Sequence, residues 1–84
     1  MSADAETISI EILIRGHCHE YFPHIPESFT HTCLGGNELR QIMEGLGIKP
    51  QLIMGVVVNG KLKSKNYIPV QGDRIILLSP PTGG

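Results

Sequence analysis

Residues 52–79 decide the fold, and they read LIMGVVVNGKLKSKNYIPVQGDRIILLS. The run from Leu52 to Val58 is apolar at almost every position, which indicates a strand covered on both faces and therefore central in a sheet. Asn59-Gly60 is the strongest short hairpin signal, because a type I′ turn needs a positive φ at both of its central residues. The stretch therefore predicts an interior strand that turns back on itself.

The rest of this stretch predicts one edge strand and one further interior strand. The return strand, Lys61 to Lys65, places three lysines on one face, which suits a short sheet edge that must not pair with another molecule. Gln71-Gly72-Asp73 marks a turn. The segment from Arg74 to Ser79 follows, and its apolar residues 75–78 cover both faces, so it is predicted to lie inside the sheet.

Upstream, two segments alternate apolar and polar residues at a period of two. Thr7 to Arg15 carries isoleucine at every second position, and Ser28 to Leu34 alternates in the same way. β-branched residues at this period favour strands. The two segments are predicted to pair as a hairpin.

A single helix is expected between the two hairpins. Its apolar residues repeat at i, i+3, i+4 and i+7, with Gly36 or Asn37 as the expected N-cap. Gly47 is expected as the left-handed residue that ends the helix, and Pro50 follows as a stop. The apolar stripe consists of Leu39, Ile42, Met43 and Leu46.

The predicted order β-β-α-β-β-β is that of a ubiquitin-like β-grasp. This is an α+β fold with a mixed β-sheet and one main helix packed on one face. Residues 1–84 are expected to form a single domain. A ferredoxin-like fold would need a second helix, for which residues 66–70 are too few.

Composition narrows the function classes. The 84 residues are 40% hydrophobic and 18% charged, which is typical of a globular protein, and a net charge of −1 provides no basic field for nucleic acid or an acidic membrane. No apolar run approaches the ~20 residues that span a bilayer, and no signal peptide is apparent. We therefore expect a cytoplasmic protein with Cys18 and Cys33 as free thiols, too small to enclose a deep pocket.

Catalytic candidates are few. The sequence has no glycine-rich phosphate motif, no Ser/His/Asp arrangement and no C-x-x-C pair. His17-Cys18-His19 and His24 form a metal-like cluster, but adjacent ligands on a turn lack the paired spacing of zinc sites. We therefore expect a polar loop there and no bound metal, and we expect Cys33 to be a small core residue.

The chain closes with Pro80, Pro81, Thr82, Gly83 and Gly84, which we expect to form a flexible tail over residues 80–84. The prolines stiffen its exit from the last strand, and five residues reach about 16–18 Å. The two glycines lack a Cβ and make a peptide thin enough to thread a narrow channel. Alone, such a tail is a frayed end. Attached to a β-grasp, it predicts a carboxylate at Gly84 that is delivered into another protein's active site.

Two motifs resemble the ThiS/MoaD family of sulfur carriers, which are ubiquitin-fold proteins that end in Gly-Gly. They are V-V-V-N-G-K at 56–61 and G-D-R-I-I-L-L-S-P-P-T-G-G at 72–84, and the resemblance extends over residues 7–84. The Pro-Pro-Thr-Gly-Gly ending and the length near eighty are more similar to the small subunit of molybdopterin synthase than to the thiazole-pathway carrier. The histidine-rich loop of residues 16–26 departs from the family pattern.

The resemblance implies a non-enzymatic carrier that binds no cofactor itself. It implies that a ubiquitin-activating-type adenylyltransferase uses ATP to adenylate the carboxylate of Gly84, and that a sulfur donor then converts it to a thiocarboxylate. The sulfur would pass to a pterin precursor in the large subunit of molybdopterin synthase, or to an equivalent acceptor enzyme, in molybdenum or tungsten cofactor biosynthesis.

The resemblance also implies a partner surface. In the family an apolar residue shortly before the tail meets the partner, and the matching residue is Leu78. We expect Ile76 and Leu78 to lie on the sheet face opposite the helix. Arg74 and the three lysines of residues 61–65 either add polar contacts to a partner or are solvated charges of the sheet edge.

Other functions stay open at this point. The chain would be a sulfur carrier for thiamine thiazole or another thiolated metabolite, or a ubiquitin-like protein modifier that forms isopeptide bonds through Gly84. A different class is a binding module whose histidine-rich loop takes a metal and whose tail is inert.

Overall fold

The structure, a computed structural model, describes residues 6–15 and 22–79. It places the elements in the predicted order, and among the described residues no helix is long and apolar enough to cross a membrane. The elements are β1 (Thr7–Arg15), β2 (Ser28–Leu34), α1 (Leu39–Gly45), one 3₁₀ turn (Pro50–Leu52), β3 (Gly55–Val58), β4 (Lys61–Lys63) and β5 (Arg74–Leu78).

The five strands form one mixed sheet in the order β2-β1-β5-β3-β4. β5 is central: it runs parallel to β1 and antiparallel to β3. The two hairpins, β1-β2 and β3-β4, are antiparallel and lie on either side of it. This arrangement confirms the predicted ubiquitin-like β-grasp.

The core lies between one face of the sheet and α1. Each interior strand contributes alternate residues to it, as a period of two requires. α1 contributes the buried side chains of Leu39, Ile42 and Met43. The strands contribute Ile8, Ile10, Ile12, Ile14, Val56, Val58, Ile75 and Leu77.

The start of α1 differs from the prediction. Glu38 is the N-cap, rather than Gly36 or Asn37, and its backbone N–H donates to the Oε1 of Gln41 at 2.9 Å in a capping box. Gly36 has a φ of 91° and belongs to the turn after β2, and the Asn37 side chain donates to Leu34 O at 3.3 Å. The residues expected to cap the helix therefore close the preceding strand.

The end of α1 is as predicted. Gly47 has a φ of 81°, in the left-handed region. The N–H of the next residue, Ile48, donates to Met43 O at 2.8 Å, which is the long bond of a Schellman motif. Ile48 is buried and thereby fastens the chain that leaves the helix to the core.

Three strand boundaries were predicted too wide. β3 begins at Gly55 rather than Leu52, because the 3₁₀ turn started by Pro50 continues to Leu52. β4 ends at Lys63, and Lys65 instead accepts a hydrogen bond from the N–H of Arg40 at 2.9 Å, so it is drawn toward α1. β5 ends one residue before the predicted Ser79.

The carboxylate of Asp73 links the β3-β4 turn to the segment that leads into β5. Asp73 is only 4% exposed. Its Oδ1 accepts from Asn59 Nδ2 at 2.8 Å, and its Oδ2 accepts from Tyr67 Oη at 2.6 Å and from Val70 N at 2.9 Å. Asn59, which has a φ of 51°, also accepts from the N–H of Arg74 at 2.9 Å through its Oδ1. The β3-β4 turn is therefore bonded directly to the first residues of β5.

These contacts keep Asp73 ionised. Burial by itself raises the pKa of Asp73, but the hydrogen bonds from Tyr67, Val70 and Asn59 and the charge of Lys63 outweigh it, so the pKa lies below the ordinary 3.8. The same hydrogen bond, together with burial and the negative charge, raises the pKa of Tyr67. The network therefore consists of the ionised carboxylate of Asp73 and the three hydrogen-bond donors that surround it.

Asp73→Asn is expected to lower the free energy of unfolding by about 1–3 kcal/mol at neutral pH, because it replaces a buried charged acceptor by an amide that cannot accept the same three bonds. The folded-state pKa of Asp73 is lowered, so its contribution is present above the unfolded-state value and lost as the pH falls through the folded-state value. Urea unfolding of wild type and variant should therefore show a gap that is constant near neutral pH and shrinks below about pH 4.

Glu11→Gln is the control for this experiment, because Glu11 is an exposed carboxylate on the same sheet. Its effect should stay within about 1 kcal/mol, the upper range for the exposed pair that Glu11 makes with Arg74. A gap between wild type and Asp73→Asn that does not change with pH would contradict the assignment.

Candidate functional site

The end of β5 is held on both sides. Leu78 O accepts from Met54 N at 2.7 Å, and both the N–H and the Oγ of Ser79 lie 3.4 Å from Arg15 O. Ser79 is 6% exposed. The chain is therefore fixed in the middle of the sheet up to Ser79, the residue from which the predicted tail would leave. The tail residues Pro80, Pro81, Thr82, Gly83 and Gly84 lie outside the described residues.

The sheet face opposite the helix carries a row of apolar side chains. The register sets Leu13 of β1 beside Ile76 of β5, Ile76 beside Val57 of β3, and Val57 beside Leu62 of β4. Residues that are paired in a register lie close enough for their side chains to touch. The row therefore crosses four of the five strands.

Leu78 extends this row toward the end of β5. The side chains of Leu62 and Leu78 converge over Gly55, and each has a Cδ1 3.7 Å from the place where a Cβ on Gly55 would stand. We call Leu13, Val57, Leu62, Ile76 and Leu78 together the outer patch.

Exposure varies across the outer patch. Leu13 is buried at 5% exposure, whereas Leu62 is 75% exposed and the remaining three are half-buried. Met54, which is 63% exposed, adds apolar surface next to the end of β5. The exposed apolar atoms grouped on this face make it a candidate binding surface.

The outer patch agrees in part with the sequence analysis. Ile76 and Leu78 lie on the predicted face, while Ile75 and Leu77 point into the core. Leu62, Val57 and Leu13 were not singled out. The K-L-K alternation of β4 carries a signal for Leu62, but its alignment with Ile76 across the intervening strand β3 depends on the register of β5 with β3, which the sequence does not reveal.

The lysines of β4 lie away from this surface. Lys61 and Lys63 alternate with Leu62 and so lie on the other side of β4, where Lys63 Nζ stands 5.6 Å from the centroid of the Tyr67 ring. Lys65 is outside the strand. Lys61 and Lys63 therefore do not lie on the same face as Ile76 and Leu78, which agrees with the alternative that they are solvated charges of the sheet edge.

Arg74 does border the outer patch. Its Nε lies 3.4 Å from Glu11 Oε1, and the two side chains are 61% and 50% exposed. An exposed pair of this kind contributes about 0–1 kcal/mol to stability, so the guanidinium is available to a partner at little cost to the fold.

The histidine-rich loop is described only in part. His17, Cys18 and His19 lie outside the described residues, and His24 is exposed next to Gly47, with its Nε2 3.2 Å from where a Cβ on that glycine would stand. Within residues 6–15 and 22–79, no three metal-ligating side chains come together. Burial raises the pKa of the half-buried Cys33 thiol, so it is not an activated nucleophile.

Comparisons with known proteins bear on the fold. No protein-family model matches the chain, and no curated protein sequence matches it. Solved structures do match. The crystal structure of SAMP1 from Haloferax volcanii superposes with a TM-score of 0.66 at 19% identity, over 90% of this chain and 99% of that one. The solution structure of the Haloferax volcanii HVO 2177 protein has a TM-score of 0.70 at 16% identity, over 100% of this chain and 93% of that one. These likenesses agree with the ubiquitin-like β-grasp.

Leu62→Ser is expected to leave the free energy of unfolding within about 0.5 kcal/mol of wild type, because this leucine is 75% exposed and lies outside the core. Val56→Ala, one strand away and 0% exposed, should instead cost about 1–3 kcal/mol. Equilibrium urea unfolding measures both. A large loss for Leu62→Ser would mean that the outer patch serves the fold rather than binding.

Proposed function

We propose that this protein is a sulfur carrier whose C-terminal glycine, Gly84, is adenylated by a partner enzyme and then converted to a thiocarboxylate. The supporting observation is the place of Ser79, at the end of the central strand and next to the outer patch. A partner that binds the patch therefore also receives the chain that follows Ser79.

The arrangement suits delivery of a carboxylate. Residues 80–84 reach about 16–18 Å from the anchored Ser79, so a docked partner would find Gly84 within a limited volume and at a raised effective concentration. The apolar patch would supply binding energy remote from the reacting carboxylate, which orients it for reaction. Pro80 and Pro81 reduce the freedom of the tail.

The chemistry requires groups that this proposal assigns to partners. A carboxylate is a poor electrophile until one of its oxygens becomes part of a leaving group, which adenylation by a ubiquitin-activating-type adenylyltransferase supplies from ATP. A sulfur nucleophile then displaces AMP and leaves the thiocarboxylate, itself a competent sulfur nucleophile. The carrier is not an enzyme in this scheme, and it needs no cofactor of its own.

We further propose molybdopterin synthesis as the pathway, with the large subunit of molybdopterin synthase or an equivalent enzyme as acceptor, in the cytoplasm. The support is the resemblance of the V-V-V-N-G-K and G-D-R-I-I-L-L-S-P-P-T-G-G motifs to the small subunit of that enzyme. In the structure, Asn59 of the first motif donates a hydrogen bond to Asp73 of the second, which is a physical reason for the two motifs to occur together.

The first test is intact mass after incubation with an activating enzyme, ATP and a sulfur donor. We expect one oxygen of Gly84 to be replaced by sulfur, and tandem mass spectrometry should locate the change at that residue. A variant lacking Gly84 is the control and should stay unmodified with unchanged thermal unfolding. Lysine adducts of other proteins through Gly84 would indicate a protein modifier instead, and an unmodified tail would contradict the proposal.

The second test separates the outer patch from the reacting end. Leu62→Gln should raise the KM for the carrier in the activating reaction at least about tenfold with kcat little changed, because binding is remote from the chemistry. Lys61→Gln places the same side chain on the opposite face of β4 and should leave KM unchanged. Equal effects of the two substitutions would show that the patch is not the contact surface.

A further inference from the structure

The two edges of the sheet are unlike. β4 is three residues long and has a lysine at each end, Lys61 and Lys63, which blunts it against pairing with another strand. β2 is seven residues long, Ser28–Leu34, and contains no lysine, arginine, aspartate, glutamate or proline. Within its own residues, β2 therefore lacks the charges and prolines with which sheet proteins block edge-to-edge association.

The register shows which backbone groups of β2 face outward. Ile14 N donates to Glu27 O at 2.8 Å and Gly35 N donates to Glu6 O at 2.8 Å, so these are hydrogen-bonded positions of the β1-β2 ladder. Hydrogen-bonded and non-hydrogen-bonded positions alternate in an antiparallel pair. The residues whose N–H and C=O groups point away from β1 are therefore Ser28, Thr30, Thr32 and Leu34. The carbonyl of Leu34 already accepts from Asn37 Nδ2 at 3.3 Å and would use its second lone pair in a further pairing.

We propose that two copies of this protein associate through β2 and form one continuous ten-stranded sheet. The two β2 strands are antiparallel about a two-fold axis at His31. In this register Thr30 faces Thr32 of the second copy and Ser28 faces Leu34, so all four outward positions take part in the ladder. A two-fold interface of this kind uses the same surface twice and closes as a dimer.

A groove beside β2 fits this register. It has a volume of about 360 Å³ and is lined by His31, Cys33, Asn37, Gln41, Ile42 and Gly45. The register sets Phe29 of the second copy directly opposite Cys33, in a non-hydrogen-bonded pair where side chains are closest. The ring then covers the groove beside Gly45, where a Cβ would meet nothing within 4 Å.

The association leaves the proposed carrier surface free. The outer patch lies on β1, β5, β3 and β4, and β2 contributes no residue to it. Because the two copies are antiparallel, their β5 strands point in opposite directions. The two Ser79 residues stand at opposite ends of the joined sheet, so two partner enzymes have access at once.

The test is sedimentation equilibrium of the full chain up to about 1 mM, where weak association is measurable. We expect wild type to approach twice the 9.2 kDa of the chain. Thr32→Pro removes an outward donor from an edge strand, where proline is tolerated, and should leave a monomer. Leu62→Pro is the matched control, because its N–H points outward from β4, and it should still dimerise.

A second pair of variants tests the groove without weakening the helix. Gly45→Ala and Gly45→Gln both raise helix propensity, and only glutamine is long enough to occupy the groove. We expect Gly45→Ala to dimerise as wild type does and Gly45→Gln to raise the dissociation constant at least about tenfold. Thermal unfolding should show both variants at least as stable as wild type.

A disulfide tests the register. In a background with Cys18→Ser and Cys33→Ser, His31→Cys should cross-link to itself under a mild oxidant, because the residue on the axis faces its own copy. Thr32→Cys should not, since the two Cα atoms are farther apart than the ~7 Å limit for a disulfide.

A monomeric wild type overturns the proposal and assigns the edge to a strand of another protein. Dimers that survive Thr32→Pro, or cross-link through residue 32, overturn it as well.

Discussion

The buried carboxylate of Asp73 is the interaction on which the rest of the structure depends. β5 is the strand that joins the two hairpins into one sheet, and Asp73 is the residue immediately before it. By accepting hydrogen bonds from Asn59, Tyr67 and Val70, this carboxylate fixes where β5 begins relative to the β3-β4 turn. An unpaired carboxylate in such a place would be costly, so the donors and the charge are required together.

The position of β5 then determines the candidate site. Because the first residue of the strand is set, alternation places Ile75 and Leu77 in the core and Ile76 and Leu78 on the outer face. The hydrogen bonds of Leu78 and Ser79 to Met54 and Arg15 fix the other end. Because β5 is held at both ends, this one strand positions both the outer patch and the base of the predicted tail.

The surface divides into regions with different physical character. The outer patch is apolar and bordered by the exposed pair of Arg74 and Glu11, which suits a binding surface. The β4 edge carries Lys61 and Lys63, whereas the β2 edge strand has no lysine, arginine, aspartate or glutamate. The described residues therefore present one apolar sheet face, one edge bordered by lysines and one edge strand without charged side chains.

The sequence by itself determined the element order and the β-grasp architecture, because these follow from local periods, turn residues and chain length. The outward side of β5 was expected from the family resemblance, since residues 75–78 are apolar on both faces, and the structure decided it. Asn59-Gly60, Gly47 and Gly72 were readable as turns or a helix end, since a positive φ restricts residue choice at the position itself. Only the tertiary structure decided that Glu38 caps the helix, that Lys61 and Lys63 lie away from the outer patch, and that Leu13, Val57 and Leu62 belong to it. The cap depends on a local bond between Glu38 and Gln41, which prevails because Gly36 and Asn37 are used in the turn after β2. The alignment of Leu13, Val57 and Leu62 depends on the register between strands, and local periodicity does not encode how one strand is aligned with the next.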